Sequence, residues 1–520
     1  MRFLVTQPWR DAERYHREGL WTDDTIPGLI RAHAKRTPER IAIVEAGQRI
    51  TWAQLAAAME RTAAGLASAG IDRGDAVIVR VRDSAAFVVA CAAAHAVEAV
   101  SVPVLASAGE REIAAILERM GPRAYAGPDE DWSCLAGLHH LKLDDPALWL
   151  AGAEPVRGYL PDPDALMEVM FTSGTTGRPK GVMNSANTKL AGLRGFVSTL
   201  DWGAGDVWGV LAPMAHNAGW LYGYLPALHT GATAVIVGRG DTERMLDTLV
   251  AEKVTIAFLV PTHAFDLINA WRAQPGRWDL KLRYVITGAA ACPPGLIGAM
   301  KSEWGVEPIS MYGMTECQGN LFTRPDDPIE VAANTVGRAC PGADVALRSP
   351  ADEALVSGEG AQGEVVTRGA LIYLGYYDDQ GATAASFTKD GWFRSGDLGQ
   401  HVGDSIKIVG RIKEVILRGG ATILPDDVEH ALIDCPGVDD VSVCGLPDER
   451  LGEVVCACIV GTATLEDVRA HLKRKGVGRK LWPDALLHFD QFPRTGVGKV
   501  QRGALAKLAV ERRSGGGGPA

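Results

Sequence analysis

At 520 residues the chain exceeds what one ordinary hydrophobic core accommodates, so at least two domains are expected. Its 47% hydrophobic and 22% charged residues are those of a globular protein, and a net charge of −10 gives no support for bulk nucleic-acid binding. Nine cysteines without a single C-x-x-C pair argue against a structural zinc site and fit reduced thiols in a cytoplasmic setting.

The first residues, through Gly19, contain no apolar run of signal-peptide length. Residues Asp24–Lys35 and Trp52–Ala69 carry apolar positions at helical spacing, and Ile41–Val44 and Ala76–Val81 read as strands. The most apolar stretch, Ala85 to Leu105, is broken by His95, Glu98 and Pro103. It reads as a buried helix running into a strand at Val100–Val104, and no membrane span is expected. Strand and helix patterns then alternate through Ala232–Val237, Arg244–Glu252, Ile256–Val260 and Tyr284–Thr287. This implies a layered α/β core with parallel strands. From about Gly363 short strands dominate, as at Gly363–Thr367 and Ser405–Val409.

After Arg411 the pattern becomes strand (Val415–Leu417), helix (Pro425–Ile433), two strands (Val438–Cys444, Val454–Ile459) and helix (Leu465–Lys475). That is a compact α+β module of roughly 100 residues. The expected organisation is a large, multi-subdomain α/β domain over 1–410, a small α+β domain over 411–513, and a flexible glycine-rich tail over 514–520.

The most informative segment is Phe171–Val182, FTSGTTGRPKGV, which follows the apolar run Ala165–Phe171. Its hydroxyls (Thr172, Ser173, Thr175, Thr176) and glycines (Gly174, Gly177, Gly181) suit a loop that turns its N–H groups toward phosphate oxygens, with Lys180 as a point charge. It is not the G-x-x-x-x-G-K-[ST] loop.

Four further motifs follow in order: YGMTE at Tyr312–Glu316, SGDLG at Ser395–Gly399, GRIK at Gly410–Lys413 and PRTGVGK at Pro493–Lys499. With these the chain resembles, over nearly its whole length, the adenylate-forming superfamily of acyl- and aryl-CoA synthetases, luciferases and peptide-synthetase adenylation domains. Among these it looks most like acyl-CoA ligases acting on medium-chain, alicyclic or aromatic acids.

The resemblance implies ATP-dependent formation of an acyl-adenylate, then transfer to a thiol. It assigns the β- and γ-phosphates to Thr172, Ser173, Gly174, Thr175, Thr176, Gly177 and Lys180, the α-phosphate to Thr315, and Mg²⁺ to Glu316. Tyr312 is expected to stack on adenine and Gly288, Ala289 and Ala290 to line its site. Asp397 and Arg411 are expected at the ribose. Lys499 is the expected catalytic cation between carboxylate and α-phosphate, and Lys413 the hinge about which a mobile C-terminal domain turns between two half-reactions. The implied acid pocket is lined by His216, Asn217, Gly219, Met311, Cys317, Gln318 and Gly319, with Gly288–Ala290. His216 fits either a gate at that pocket or a hydrogen-bonded core histidine.

Some positions depart from the family pattern. Ala186, in Asn184-Ser185-Ala186-Asn187, stands where many relatives carry histidine, and Glu98 where they often carry glycine. Relatives commonly read Gly-Gly-Glu-Asn-Ile where this chain has Gly419-Gly420-Ala421-Thr422-Ile423, in a loop expected to face the acceptor. Coenzyme A is the expected acceptor. The phosphopantetheine of a carrier protein is chemically equivalent, although no carrier domain follows before the tail. A third reading keeps the fold and activates nitrite for diazo formation on an aryl amine. A small-molecule acid is the expected partner, in a monomer or homodimer.

Overall fold

The computed structural model describes residues 10–143, 160–172, 179–238, 240–418, 421–494 and 500–515. Packing divides the chain into two units, Met1–Val345 with Val366–Arg394, and Ala346–Val365 with Ser395–Ala520.

The first unit holds two large sheets. One runs in the order Arg338–Ala339, Gln318–Phe322, Glu307–Met314, Tyr284–Thr287, Ile256–Leu259, Val207–Val210, Thr233–Ile236, Ile41–Glu45 and Gln48–Thr51. Its centre is parallel, as the alternating pattern predicts. The other is ordered Gly375–Tyr376, Lys180–Ser185, Leu166–Thr172, Val100–Pro103, Ala76–Val79, Ala124–Ala126 and His139–Leu141.

The expectation of parallel strands needs correction at two places that matter for the site. Leu166–Thr172 and Lys180–Ser185 pair antiparallel, as do Glu307–Met314 and Gln318–Phe322. Connections as short as those from Thr172 to Lys180 and from Met314 to Gln318 cannot form the crossover that parallel neighbours require. Both sequences therefore close as hairpins.

Helix starts follow local chemistry. Thr51 and Gln54 form a capping box that opens Trp52–Ser68, and Ser185 with Thr188 does the same for Ala186–Val197. Ser84 caps Ala85–Ala96, every residue of which is buried, as its apolar sequence predicts. No described helix is long and apolar enough to cross a membrane.

A third sheet is ordered Leu355–Val356, Ala343–Arg348, Gln362–Gly369, Phe393–Val402 and Ser405–Arg411. The second unit contains a sheet built from Ala421–Ile423, Ile416–Arg418, Gly452–Gly461 and Val438–Asp448, with Ala485–His488 alongside Gly452–Gly461. The helices Pro425–Leu432 and Leu465–Arg474 match the sequence reading. A final helix, Arg502–Gly515, extends through Ser514 and Gly515, where a flexible tail was expected. The preceding run of alanine, leucine, lysine and arginine favours helix and carries it on. The rest of that tail lies outside the described residues.

Candidate active site

The hairpin Leu166–Thr172/Lys180–Ser185 pairs Thr172 with Lys180, the described residues that flank the glycine-rich segment in sequence. Of that segment Ser173, Gly174, Thr175, Thr176 and Gly177 lie outside the described residues, as does Lys499. Gly375–Tyr376 pairs antiparallel with the outer strand of the hairpin. This sets the Tyr376 ring beneath the Lys180 ammonium, 4.6 Å from Nζ to the ring centroid.

YGMTE closes the second hairpin. Tyr312, Gly313 and Met314 end its first strand, while Thr315, Glu316 and Cys317 make the turn. A Cβ on Gly313 would lie 1.8 Å from the Gln318 carbonyl oxygen, so only glycine permits the close strand approach there. Glu316 is buried, and its carboxylate accepts a hydrogen bond of 2.8 Å from the Tyr376 hydroxyl. Its carbonyl accepts from the Tyr373 N–H at 2.8 Å. Burial, and then the Glu316 charge, push the Tyr376 phenol far above its ordinary pKa, so the hydroxyl stays a donor. Lys180, Tyr376 and Glu316 thus form one cluster, with Thr315 half-buried beside it.

The expected acid-pocket residues also converge. His216-Asn217-Ala218-Gly219 leads into a single wide turn, Trp220–Tyr224, in which Tyr222 N–H bonds Asn217 O and Tyr224 N–H bonds Gly219 O. Such five-residue turns are rare and cluster at functional sites. The turn aims the buried Tyr222 hydroxyl at the Gly319 N–H, which donates to it. Any side chain on Gly319 would collide with Tyr222 and with the Met311 sulfur, so Met311, Gly319 and Tyr222 are immediate neighbours. Gly288 packs against the Met311 carbonyl, where a Cβ would come within 2.7 Å. Cys317 is a buried thiol outside any disulfide.

Two non-glycine residues of the expected site adopt left-handed backbone: Ala289, at φ 67°, and Gln318, at φ 52°. Side chains rarely accept that conformation outside strained or functional positions.

Asn217 Nδ2 donates to Gln318 Oε1 at 3.0 Å, joining two expected pocket residues. Asn217 Oδ1 in turn accepts, at 2.7 Å, from Lys189 Nζ, which sequence reasoning did not single out. Lys189 is completely buried and pairs with the equally buried Glu168. Burial pulls the Lys189 ammonium below its ordinary pKa, and Glu168 opposes that pull. Tyr222, Tyr376, Glu168 and Lys189 are therefore site residues missed in the sequence. The signal for Glu168 was present, since an acid inside the apolar strand Leu166–Thr172 requires a buried partner.

In the second unit Asp397 and Arg411 stand opposite each other on the hairpin Phe393–Val402/Ser405–Arg411, with Arg411 Nε 3.1 Å from Asp397 Oδ1. Asp397 is buried, and its N–H bonds the Ser395 hydroxyl at 3.0 Å. Lys413 falls in the single turn Ile412–Glu414 that follows.

Known proteins resemble the chain over most of its length. Residues 30–377 match the family described as AMP-binding enzyme, and residues 427–499 its C-terminal domain. The chain is 30% identical to the medium-chain fatty-acid–CoA ligase of Escherichia coli, across 98% of this chain and 95% of that one. It is likewise 30% identical to the 2,3-dihydroxybenzoate-AMP ligase of Bacillus subtilis, covering 97% and 98%. The ATP-bound crystal structure of MatB from Rhodopseudomonas palustris superposes with a TM-score of 0.85 at 25% identity, covering 94% of this chain and 99% of that one. The chain belongs to the AMP-binding enzyme family.

Proposed function

We propose that the protein uses ATP to activate a carboxylic acid as its acyl-adenylate and then forms a thioester with coenzyme A. In the first step a carboxylate oxygen bonds to the α-phosphorus of ATP as the α–β anhydride bond breaks, releasing pyrophosphate. In the second the acceptor thiol, losing its proton, bonds to the acyl carbon and AMP departs. The observation that carries this reading is the Lys180–Tyr376–Glu316 cluster, formed where the phosphate-loop hairpin meets the YGMTE turn.

Lys180 and the loop Thr172–Gly177 would hold the outer phosphates, and Thr315 the α-phosphate. Such preorganised donors stabilise charge developing on phosphate oxygens. Glu316 offers a hard carboxylate, fixed by Tyr376, that fits Mg²⁺. One carboxylate completed by phosphate oxygens and water is its usual environment. Mg²⁺ there would neutralise phosphate charge. Tyr312 and Gly288–Ala290 would take adenine, Asp397 and Arg411 the ribose, and Lys499 the reacting carboxylate. Lys413 would be the hinge, with 1–410 and 411–513 as the domains it joins. Nine cysteines, none of them in a disulfide, fit the reducing cytoplasm.

The relatives' names favour both a free CoA acceptor and an aryl-adenylate product, so a carrier-protein thiol is the second reading for the transfer step. The test is ATP–pyrophosphate exchange without CoA over short-chain, medium-chain, alicyclic and aromatic acids, with nitrite included and Lys499→Ala as control. Exchange with a carboxylic acid that disappears in the variant supports the reading. Exchange with nitrite alone replaces it by nitrogen transfer. Adding CoA or a phosphopantetheinylated carrier then decides the acceptor.

A further inference from the structure

Glu168 and Asn184 are register partners on the antiparallel strands Leu166–Thr172 and Lys180–Ser185, so their side chains share one face. Both are fully buried. From Glu168 a chain of hydrogen bonds runs through Lys189, Asn217 and Gln318 and returns to Asn184. The ammonium fixes every orientation along it, because Lys189 can only donate. Asn217 must therefore present its oxygen to Lys189 and its nitrogen to Gln318 Oε1. Gln318 must then present its nitrogen to Asn184 Oδ1, at 3.0 Å. Thr188 Oγ1 also donates to that oxygen, at 3.4 Å.

This ordering leaves two atoms of these register partners without a hydrogen-bond partner among the described residues: the acceptor Glu168 Oε2 and the donor Asn184 Nδ2. Buried polar groups are normally paired, and leaving them open is expensive. Three members of the ring, Asn217, Gln318 and Lys189, are expected acid-pocket residues or bonded directly to one, and Gln318 is held in strained left-handed backbone. Strain and open polar atoms in one place mark a ligand contact.

The chemistry of the ring selects the ligand. Lys189 and Glu168 cancel in charge, so a second carboxylate on the substrate would meet Glu168 Oε2 uncompensated. An alkyl chain would leave both open atoms unpaired. A hydroxyl or neutral amino group does both tasks at once, donating to Glu168 Oε2 and accepting from Asn184 Nδ2. We propose that Glu168 and Asn184 form a specificity subsite for an acid bearing a neutral hydroxyl or amino substituent, with Lys189, Asn217 and Gln318 as its positioning residues. This rests on the acid-activation reading above.

The test is ATP–pyrophosphate exchange by the full chain with matched acids: benzoate against its hydroxy- and amino-derivatives, hexanoate against 6-hydroxyhexanoate, and adipate. The expected result is a preference in kcat/KM of about tenfold or more for one hydroxyl- or amino-bearing acid over its unsubstituted parent, with adipate poor. Glu168→Gln, which turns Oε2 into a donor at constant shape, should collapse that ratio to about threefold or less through KM for the substituted acid. KM for the parent acid should rise much less than KM for the substituted acid, so the ratio of the two is the readout. The charge-neutral double variant Glu168→Gln/Lys189→Met should do the same and guards against misfolding of the single one. Equal use of parent and substituted acids by the wild-type protein would overturn the subsite and mean that the two atoms hold only a trapped water. An unchanged ratio in a folded variant would overturn it as well. Absence of exchange with every acid would overturn the activation reading itself, a result separate from exchange confined to unsubstituted acids.

Discussion

The Tyr376 hydroxyl donates to the Glu316 carboxylate at 2.8 Å, linking residues 60 apart in the sequence. The strand pairing that seats Tyr376 beside Lys180 therefore also fixes the orientation of the one carboxylate proposed to hold Mg²⁺. Tyr376→Phe keeps the ring under Lys180 and removes this bond together with the hydroxyl's contact to Tyr373. The expected outcome is a Mg²⁺ requirement raised by about tenfold, the loss of one charge-assisted hydrogen bond, with little change in thermal stability. Exchange measured across a Mg²⁺ titration checks it, and an unaltered Mg²⁺ dependence counts against Glu316 as the ligand.

Asp397 and Arg411, opposed across their hairpin, are proposed to hold the ribose. Asp397→Asn should raise KM for ATP by about tenfold while leaving KM for the acid near its wild-type value, because the proposed ribose contact and the Arg411 ion pair that orients it weaken while no proposed acid contact is touched. Equal rises in both constants would show a general collapse of the unit instead.

Lys413 lies in one short turn between Ser405–Arg411 and Ile416–Arg418. Lys413→Pro stiffens that turn by locking φ. If it is the hinge, thioester formation should fall by about tenfold or more while pyrophosphate exchange falls much less. Parallel loss of both half-reactions would remove Lys413 from that role.

Arg502 gathers three carboxylates of the second unit, donating to Glu414 at 2.9 Å, to Glu429 at 2.5 Å and to Asp426. Glu414 adjoins Lys413, so this cluster braces the proposed hinge turn from its C-terminal side. Arg502→Met leaves the partly buried carboxylates facing one another. It should destabilise the second unit by about 1–3 kcal/mol, a figure reduced for the exposure that remains. Chemical denaturation would show it as a lower midpoint.

His95 is buried with its Nε2 bonded to Ser101 Oγ at 2.9 Å. Burial, and then the charge of Lys189, pull its pKa down to about 3. An unfolded histidine titrates near 6.5, so below about that pH the unfolded chain takes up a proton that the native one refuses. Stability contributed by neutral His95 is complete above about pH 6.5 and falls as pH drops toward about 3, by roughly 1.4 kcal/mol per pH unit. Urea denaturation between about pH 7.5 and 5.5 should show the slope, and His95→Gln should flatten it.

Much of this was legible in the residues. Tyr284–Thr287 was placed to the residue, because strand patterning is local, whereas the antiparallel pairing on either side of the hydroxyl-glycine and YGMTE strings was not foreseen. Lys189 was illegible for the opposite reason. In the helix Ala186–Val197 it reads as an ordinary solvated lysine, and only the packing of three separate segments makes it the centre of a polar ring. Tyr376 depended likewise on an edge strand of two residues, too short to carry a pattern. The final helix went unassigned because the glycine-rich tail drew the reading of that region.

The hairpin arms Leu166–Thr172 and Lys180–Ser185 flank the proposed phosphate loop in sequence and set Glu168 opposite Asn184 along their length. A slip of one residue between those arms would turn Glu168 or Asn184 to the other face while also displacing the loop. Insertions and deletions here would disturb the proposed nucleotide contacts and the proposed acid subsite in a single event. Descendants of this sequence can thus acquire new acids by exchanging side chains on the arms, whereas the length of the hairpin is inherited unchanged.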